Sequence, residues 1–301
     1  MKIAVIGGLG FIGSHIVDLL IQNNHEVVIY DNLSTGDIDN KNDKAKLYIG
    51  DILDISDLNT FFLRNKPDMV CHHAAQIDVQ TSMKQPKVDA NINIIGTINI
   101  LNMCVKHNVK RIVYASSAAI YGNPEYLGVD EKHPLNSESF YGLSKAVPEQ
   151  YIRLYAKNHK ISYGIVRYAN VYGPRQKSEG EGGVVAIFTN KMKKKLDCNI
   201  YGDGNQTRDF IYVKDIANAN LLAINSDKNF TVNISTNKEI TINALYEIMS
   251  ECYHYHKKPI YKKGRAGDII KSYLDNTKAK EILGFSPSYS VKEGILEMSK
   301  N

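Results

Sequence analysis

Along the first half of the chain, short apolar runs alternate with longer stretches in which apolar residues recur every three or four positions. Runs that are apolar nearly throughout read as strands covered on both faces. Those at 2–6, 26–30, 46–49, 69–72, 111–115 and 163–167 are predicted as such. Between them the spacing is helical. One pattern puts Ile94, Ile98, Leu101 and Val105 on one stripe, and another runs from Ser139 through Asn158. Strands alternating with helices predict an α/β fold with a Rossmann-type, doubly wound parallel sheet.

The regular alternation stops after Val171-Tyr-Gly-Pro174. A Gly- and Glu-rich stretch at 178–183 reads as a loop, a helix is predicted over 184–195, and Gly202-Asp-Gly-Asn205 reads as a turn. The chain is therefore expected to form a first domain over 1–168, joined again by a returning segment near 208–232. A smaller α/β domain over 169–301 would face the substrate. No repeats and no low-complexity segment are present.

The first strand runs into glycines at 7, 8, 10 and 13 and then into a helix. Glycine permits the tight turn and lets backbone N–H groups approach a phosphate, and the helix N-terminus adds a favourable dipole. This is a dinucleotide cradle. Asp31 closes the second strand, where a carboxylate accepts hydrogen bonds from the adenosine ribose and repels the extra phosphate of NADP. NAD is the expected cofactor, with Asp51, after the third strand, within reach of the adenine.

Composition narrows the partners. With 301 residues and 43% hydrophobic residues the chain can bury a substantial core, and the net charge of +5 is mild. The most basic stretch, Lys191 to Lys195, has no interleaved aromatic and reads as a solvated helix face, so no nucleic-acid partner is expected. Cys71, Cys104, Cys198 and Cys252 lack CxxC spacing. Cys71-His-His73 lies on a strand whose side chains alternate between faces, and Cys252-x-His254-x-His256 follows a helix end, so no metal is expected. The glycines break the apolar N-terminus, no small-residue cleavage motif follows, and no run of eighteen apolar residues occurs. A cytoplasmic protein with no membrane partner is expected.

Tyr141-Gly-Leu-Ser-Lys145 places a phenol and an ammonium one helical turn apart. A free phenol, with a pKa of about 10, is a poor base at neutral pH. A neighbouring ammonium favours the phenolate, as does an oxidised nicotinamide, and Lys145 can also bond the nicotinamide ribose. A hydroxyl that orients the substrate oxygen would complete the set, and Ser116 and Ser117, past the fifth strand, are the candidates.

Seven segments occur in order: Gly7-Gly-Leu-Gly-Phe-Ile-Gly13, Asp31-Asn-Leu-Ser-Thr-Gly36, His72-His-Ala-Ala75, Asn93-Ile-Ile-Gly-Thr97, Ser116-Ser-Ala-Ala-Ile-Tyr-Gly122, Tyr141-Gly-Leu-Ser-Lys145 and Arg167-Tyr-Ala-Asn-Val-Tyr-Gly-Pro174. Together they resemble the extended short-chain dehydrogenase/reductases that act on nucleotide sugars. The resemblance implies catalysis by Ser117, Tyr141 and Lys145. It implies a cofactor site of Gly7, Gly10, Phe11, Ile12, Gly13, Asp31, Asn32, Ser34, Gly36, Asp51, Ile52, His73, Ala74, Ala75, Asn93, Lys145 and Tyr168, with Asn93 and Tyr168 in supporting places.

Within that family the segment Ser117 to Gly122 is similar to that of UDP-glucose 4-epimerases. Dehydratases of the family carry an acid after the catalytic hydroxyl, and the decarboxylases usually a Glu. Ala118 and Ala119 stand there and exchange no proton. The resemblance thus implies inversion at C4 of a UDP-sugar through a 4-keto intermediate, with tightly held NAD. An epimerase of another nucleotide sugar, such as UDP-glucuronate, is the alternative. A non-catalytic NAD sensor would typically lose Tyr141 or Lys145. For the substrate, Ser117 and Tyr141 would be joined by Asn170, by Arg208 and Arg265 at the diphosphate, and by Asp268 near the uridine ribose. Ser272 matches a position where a bulky tyrosine crowds C2 of the sugar, so an N-acetyl group should also fit. Family members commonly pair as homodimers through two helices, and the Ile94 stripe is a candidate contributor.

Overall fold

The computed structural model describes residues 1–178, 183–264 and 269–300. Seven parallel strands form one sheet in the order β3-β2-β1-β4-β5-β6-β11. These are β1 (Lys2–Ile6), β2 (Glu26–Asp31), β3 (Lys46–Ile49), β4 (Met69–His72), β5 (Arg111–Ser117), β6 (Ser162–Tyr168) and β11 (Phe230–Ile234). The order reverses between β1 and β4, where a doubly wound sheet opens a crevice at its carboxyl edge. Along β1 the side chains alternate between two cores. Ile3 and Val5 join α1 (Phe11–Gln22) and α8 (Val213–Asn225), whereas Ala4 and Ile6 join α2 (Ile55–Asn65), α5 (Gly96–Lys106) and α6 (Phe140–Asn158).

Caps set several boundaries. The Asp54 carboxylate accepts from the Ser56 and Asp57 N–H groups at the start of α2, and Ser139 Oγ accepts from Gly142 N–H at the start of α6. Helix α2 ends at Lys66 in the left-handed region (φ 45°). Pro148 lies inside α6, where it removes one helical hydrogen bond. Between β4 and β5 the chain forms α3 (Val79–Lys84), α4 (Pro86–Ala90), a π-turn at Asn91–Ile95 and then α5.

That π-turn corrects the predicted stripe. The wider turn advances the helix phase by one residue, so Thr97, Ile100, Leu101 and Cys104 face the sheet. Of the expected stripe only Leu101 is buried, while Ile94, Ile98 and Val105 are half-buried beside it. The continuous helical run Pro86–Lys106 is long and apolar enough, with a mean hydropathy of 1.2, to cross a membrane, but it packs against the sheet.

After β6 the chain builds a smaller lobe and then returns to the sheet with α8 and β11. The lobe pairs β7 (Asn170–Tyr172) with β10 (Phe210–Tyr212), β8 (Asn199–Tyr201) with β13 (Ile260–Lys262), and β9 (Thr207–Arg208) with β12 (Ile240–Thr241). Around them lie α7 (Val184–Lys193), α9 (Ile242–Cys252) and α11 (Val291–Ser299), while α10 (Thr277–Leu283) packs back on α8 and β11 of the main sheet. Phe188, Phe210, Leu245, Met249 and Ile295 form its separate core.

Candidate active site

The glycine turn is built for close approach. Gly7 has φ +80°, and a Cβ there would lie 2.5 Å from the Ala74 backbone nitrogen. A Cβ on Gly13 would lie 2.1 Å from the Gly7 carbonyl oxygen. The His73-Ala74 segment therefore runs directly over the turn, and Gly7 and Gly13 close it with no room for side chains. Helix α1 begins at Phe11 with no side-chain cap and no acidic residue in its first turn. The N–H groups of Phe11, Ile12 and Gly13, unpaired within the helix, thus face an uncontested anion position.

Asp31 is 6% exposed. Its two oxygens accept from Leu9 N (2.9 Å) and Leu33 N (2.8 Å), which leaves lone pairs for ribose hydroxyls. A Cβ on Gly36 would lie 2.9 Å from Asp31 Oδ1, so that loop closes over the carboxylate. Asn32 Nδ2 donates to Asp51 Oδ2 at 2.9 Å, and the Asn32 side chain in turn accepts from Ser34 N. Ile52 is buried against Gly96. These residues fit a dinucleotide: a capless helix N-terminus for the pyrophosphate and a fixed carboxylate for the ribose.

The reacting groups gather at the ends of β5 and α6. Strand β5 runs two residues beyond its predicted end because Ser116 and Ser117 pair with Arg167 and Tyr168. Neighbouring side chains on a strand point to opposite faces, and this separates the two serines. Ser116 Oγ donates to Glu149 Oε1 at 2.7 Å and is consumed in the core. Ser117 Oγ accepts from Ala119 N at 3.2 Å, capping the turn Ala118–Ile120. The first turn of α6 lies on that segment, since a Cβ on Gly142 would be 2.4 Å from the Ala119 carbonyl oxygen. Tyr141 stands in this turn, and its N–H donates to Ser82 Oγ at 3.0 Å.

Lys145, one turn further, is 5% exposed, with Nζ 4.6 Å from the centre of the Tyr114 ring. Burial brings its ammonium down to about 8, while the charges of Glu149 and Asp89 act in the opposite sense. His73 Nε2 and Tyr168 Oη are 3.0 Å apart, and Asn220 Nδ2 donates to the same oxygen at 2.7 Å. Burial, then the Lys145 charge, lowers His73 to about 3, so its imidazole is neutral. Tyr168 thus backs His73. The π-turn sets Asn93, whose Nδ2 reaches the Gln76 carbonyl oxygen (2.9 Å), Ser144 Oγ (2.9 Å) and Asp89 Oδ1 (3.2 Å). Gln76, Asp89 and Glu149 escaped the sequence reading. Glu149 shares the four-residue spacing of Tyr141 and Lys145, which was the available signal.

In the smaller lobe a cleft of about 330 Å³ is lined by Asn170, Phe188, Lys191, Tyr201, Arg208 and Phe210 among others. Arg208 Nη1 donates to the carbonyl oxygens of Thr207 and Ile269, both at 2.7 Å, which pins its guanidinium at the cleft wall. Ser272 is half-buried beside a bridge in which Val129 N donates to the Tyr273 carbonyl oxygen at 3.1 Å. That bridge ties its segment to the loop that follows Ser117. Arg265 and Asp268 lie outside the described residues. Among the described residues no group of His, Cys, Asp and Glu is arranged to hold a metal ion.

Comparison with known proteins matches residues 3–235 to the NAD dependent epimerase/dehydratase family. The chain is 51% identical, over 97% of its length and 95% of the relative's, to a putative UDP-glucose 4-epimerase from Methanocaldococcus jannaschii. A UDP-glucose 4-epimerase from Thermotoga maritima, solved with UDP-glucose, superposes with a TM-score of 0.97 at 42% identity, covering 100% of this chain and 98% of that one. A UDP-N-acetylglucosamine 4-epimerase from Methanobrevibacter ruminantium, in complex with UDP-N-acetylmuramic acid, gives 0.94 at 35% identity, covering 99% and 97%.

Proposed function

We propose that this chain, which belongs to the NAD dependent epimerase/dehydratase family and is a nucleotide-sugar epimerase with NAD as its cofactor, inverts C4 of UDP-sugars through a 4-keto intermediate. The pairs are UDP-glucose with UDP-galactose and UDP-GlcNAc with UDP-GalNAc. The observation that carries this reading is the site around Ser117. The turn after Ser117 packs against the first turn of α6, which carries Tyr141 with the buried Lys145 one turn further on, and itself presents only Ala118 and Ala119. With no carboxylate in that turn, elimination of water lacks its acid and base. NAD, when bound, supplies the acceptor and donor of a hydride.

The residues do the rest. Tyr141 takes the proton of the 4-hydroxyl and returns it to the 4-oxygen after the keto sugar has turned its opposite face, while Ser117 holds that oxygen. The Lys145 ammonium favours the ionised phenol and holds the nicotinamide ribose. Residues 1–168, with the returning segment near 208–232, hold the cofactor, and 169–301 mainly hold the nucleotide sugar. Arg208 and Arg265 grip the diphosphate while the keto sugar turns over. Ser272 leaves space at C2, and the relative named for UDP-N-acetylglucosamine supports the wider sugar range. Leu143 and Leu154, 50% and 55% exposed on one face of α6, fit a homodimer contact.

Proton NMR of the purified protein with UDP-GalNAc and with UDP-Gal, no cofactor added, tests the reading. Interconversion at C4 is expected for both, with Tyr141→Phe losing nearly all turnover yet retaining NAD. Ser272→Tyr should abolish N-acetyl turnover and spare UDP-Gal. No conversion of either sugar, even with NAD supplied, would transfer the assignment to another nucleotide sugar, UDP-glucuronate first.

A further inference from the structure

Behind the reacting groups lies a charge cluster that the mechanism above does not use. Glu149 is fully shielded from solvent. Its Oε1 accepts from Ser116 Oγ (2.7 Å) and Arg167 Nε (2.9 Å), and its Oε2 from Arg167 Nη2 (2.7 Å) and Arg153 Nη2 (2.9 Å). Arg167 Nη1 continues to the Tyr121 hydroxyl at 2.8 Å, which donates to Asn233 Oδ1 at 2.7 Å. One carboxylate thus joins α6, β5 and β6 directly, and β11 through Tyr121.

We propose that Glu149 is a positioning residue of the active site: it holds the end of β5 that carries Ser117, and its charge, one helical turn beyond Lys145, keeps that lysine an ammonium. This rests on the reading of Lys145 given above. A buried ion pair holds elements together no better than apolar side chains of the same volume, so packing alone does not call for a carboxylate here. A buried ammonium, by contrast, needs an anion nearby. Around Lys145 the anions are Glu149 on α6 and Asp89 on α4. The other titratable neighbours of Lys145 among the described residues are the neutral imidazoles of His72 at the end of β4 and His73 just after it, the Tyr114 phenol on β5 and, one turn before Lys145 on α6, the Tyr141 phenol. Arg167 and Arg153 are the cations bonded to Glu149 itself. Burial opposes the Glu149 charge, but the Arg167 bonds and charge, Ser116 and Arg153 outweigh it, so the carboxyl sits below its ordinary range and is ionised at neutral pH.

Titration of the full, NAD-loaded chain labelled with ¹³Cε-lysine tests this, with the Lys145 signal assigned by its loss in Lys145→Arg. Glu149→Gln keeps an acceptor for Ser116 but removes the charge, and should lower the Lys145 midpoint by about half a pH unit or more, about threefold in proton affinity. Arg153→Met strips a cation from the carboxylate and should raise that midpoint by a smaller step. A purely structural Glu149 gives no shift, or shifts of one sign in both variants, and either result overturns the proposal. Should Glu149→Gln fail to fold, Arg153→Met decides: a rise supports the proposal, and no change or a fall overturns it. The titration uses no substrate, so failure of the epimerase reading, seen as no C4 interconversion by the unaltered protein, is registered separately.

Discussion

Replacing Lys145 by Met should stabilise the cofactor-free protein at pH 7 while abolishing turnover. The two side chains have similar length, so the space beside Tyr114 stays filled and mainly the charge is lost. Burial holds the Lys145 ammonium at about 8, against an ordinary value of 10.5. At about 1.4 kcal/mol per pH unit, that displacement amounts to about 3 kcal/mol of folding free energy spent on keeping a charge in a dry site. The contact of Nζ with the Tyr114 ring offsets about 0.5–2 kcal/mol of it. A net gain of about 1–3 kcal/mol at pH 7 follows. The pH dependence fixes the sign. The folded protein releases the Lys145 proton near pH 8 and the unfolded chain only near 10.5, so the unaltered protein gains stability across that window. Urea unfolding of both proteins at pH 7 and pH 10, with NAD removed, should show the variant ahead at pH 7 and most of the gap closed at pH 10. A variant that is less stable at pH 7, or a gap that does not change with pH, would refute the reasoning.

The two serines should separate cleanly. Ser116→Ala strands a lone pair on the buried Glu149 and should cost about 1.5–3 kcal/mol in denaturant unfolding with only a modest fall in kcat, whereas Ser117→Ala should lower kcat about a hundredfold and cost only the cap of the Ala118–Ile120 turn, about 0.5–1 kcal/mol. In Gly13→Ala the new methyl would meet the Gly7 carbonyl oxygen at 2.1 Å, so NAD content, read by absorbance after denaturation, should fall and stability should drop by about 1–3 kcal/mol. Asp209 is raised to about 6 by burial, against its bonds from Thr236 and Leu274. The folded state therefore keeps this proton to higher pH than the unfolded chain, and the unaltered protein loses stability as pH rises from about 4 to 6. Asp209→Asn lacks this loss, so the stability difference between the two should move in its favour by about 2 kcal/mol between pH 4 and pH 7. A difference that stays flat across that range would count against a buried, protonated Asp209.

Sequence alone determined the elements whose signals are local. The six predicted strands, the helix capped by Ser139 and the glycine turn follow from apolar runs, helical spacing and backbone freedom within a few residues. The Tyr141/Lys145 face was legible for the same reason, being one turn of one helix. What depended on the fold involved residues far apart in the chain or a departure from regular geometry. The π-turn at Asn91–Ile95 shifted the phase of α5, so Ile100 and Cys104 rather than Ile98 and Val105 met the sheet. Position past the fifth strand left Ser116 and Ser117 equivalent and only the resemblance picked Ser117; the physical reason came with β5 extending beside Arg167 and Tyr168, which sends the two side chains to opposite faces. Glu149 carried the right spacing on α6, but its role needs Arg167 from β6 and Ser116 from β5 on the same two oxygens. Spacing along one helix tells which side chains share a face; only tertiary packing decides which charges that face will meet once water is gone.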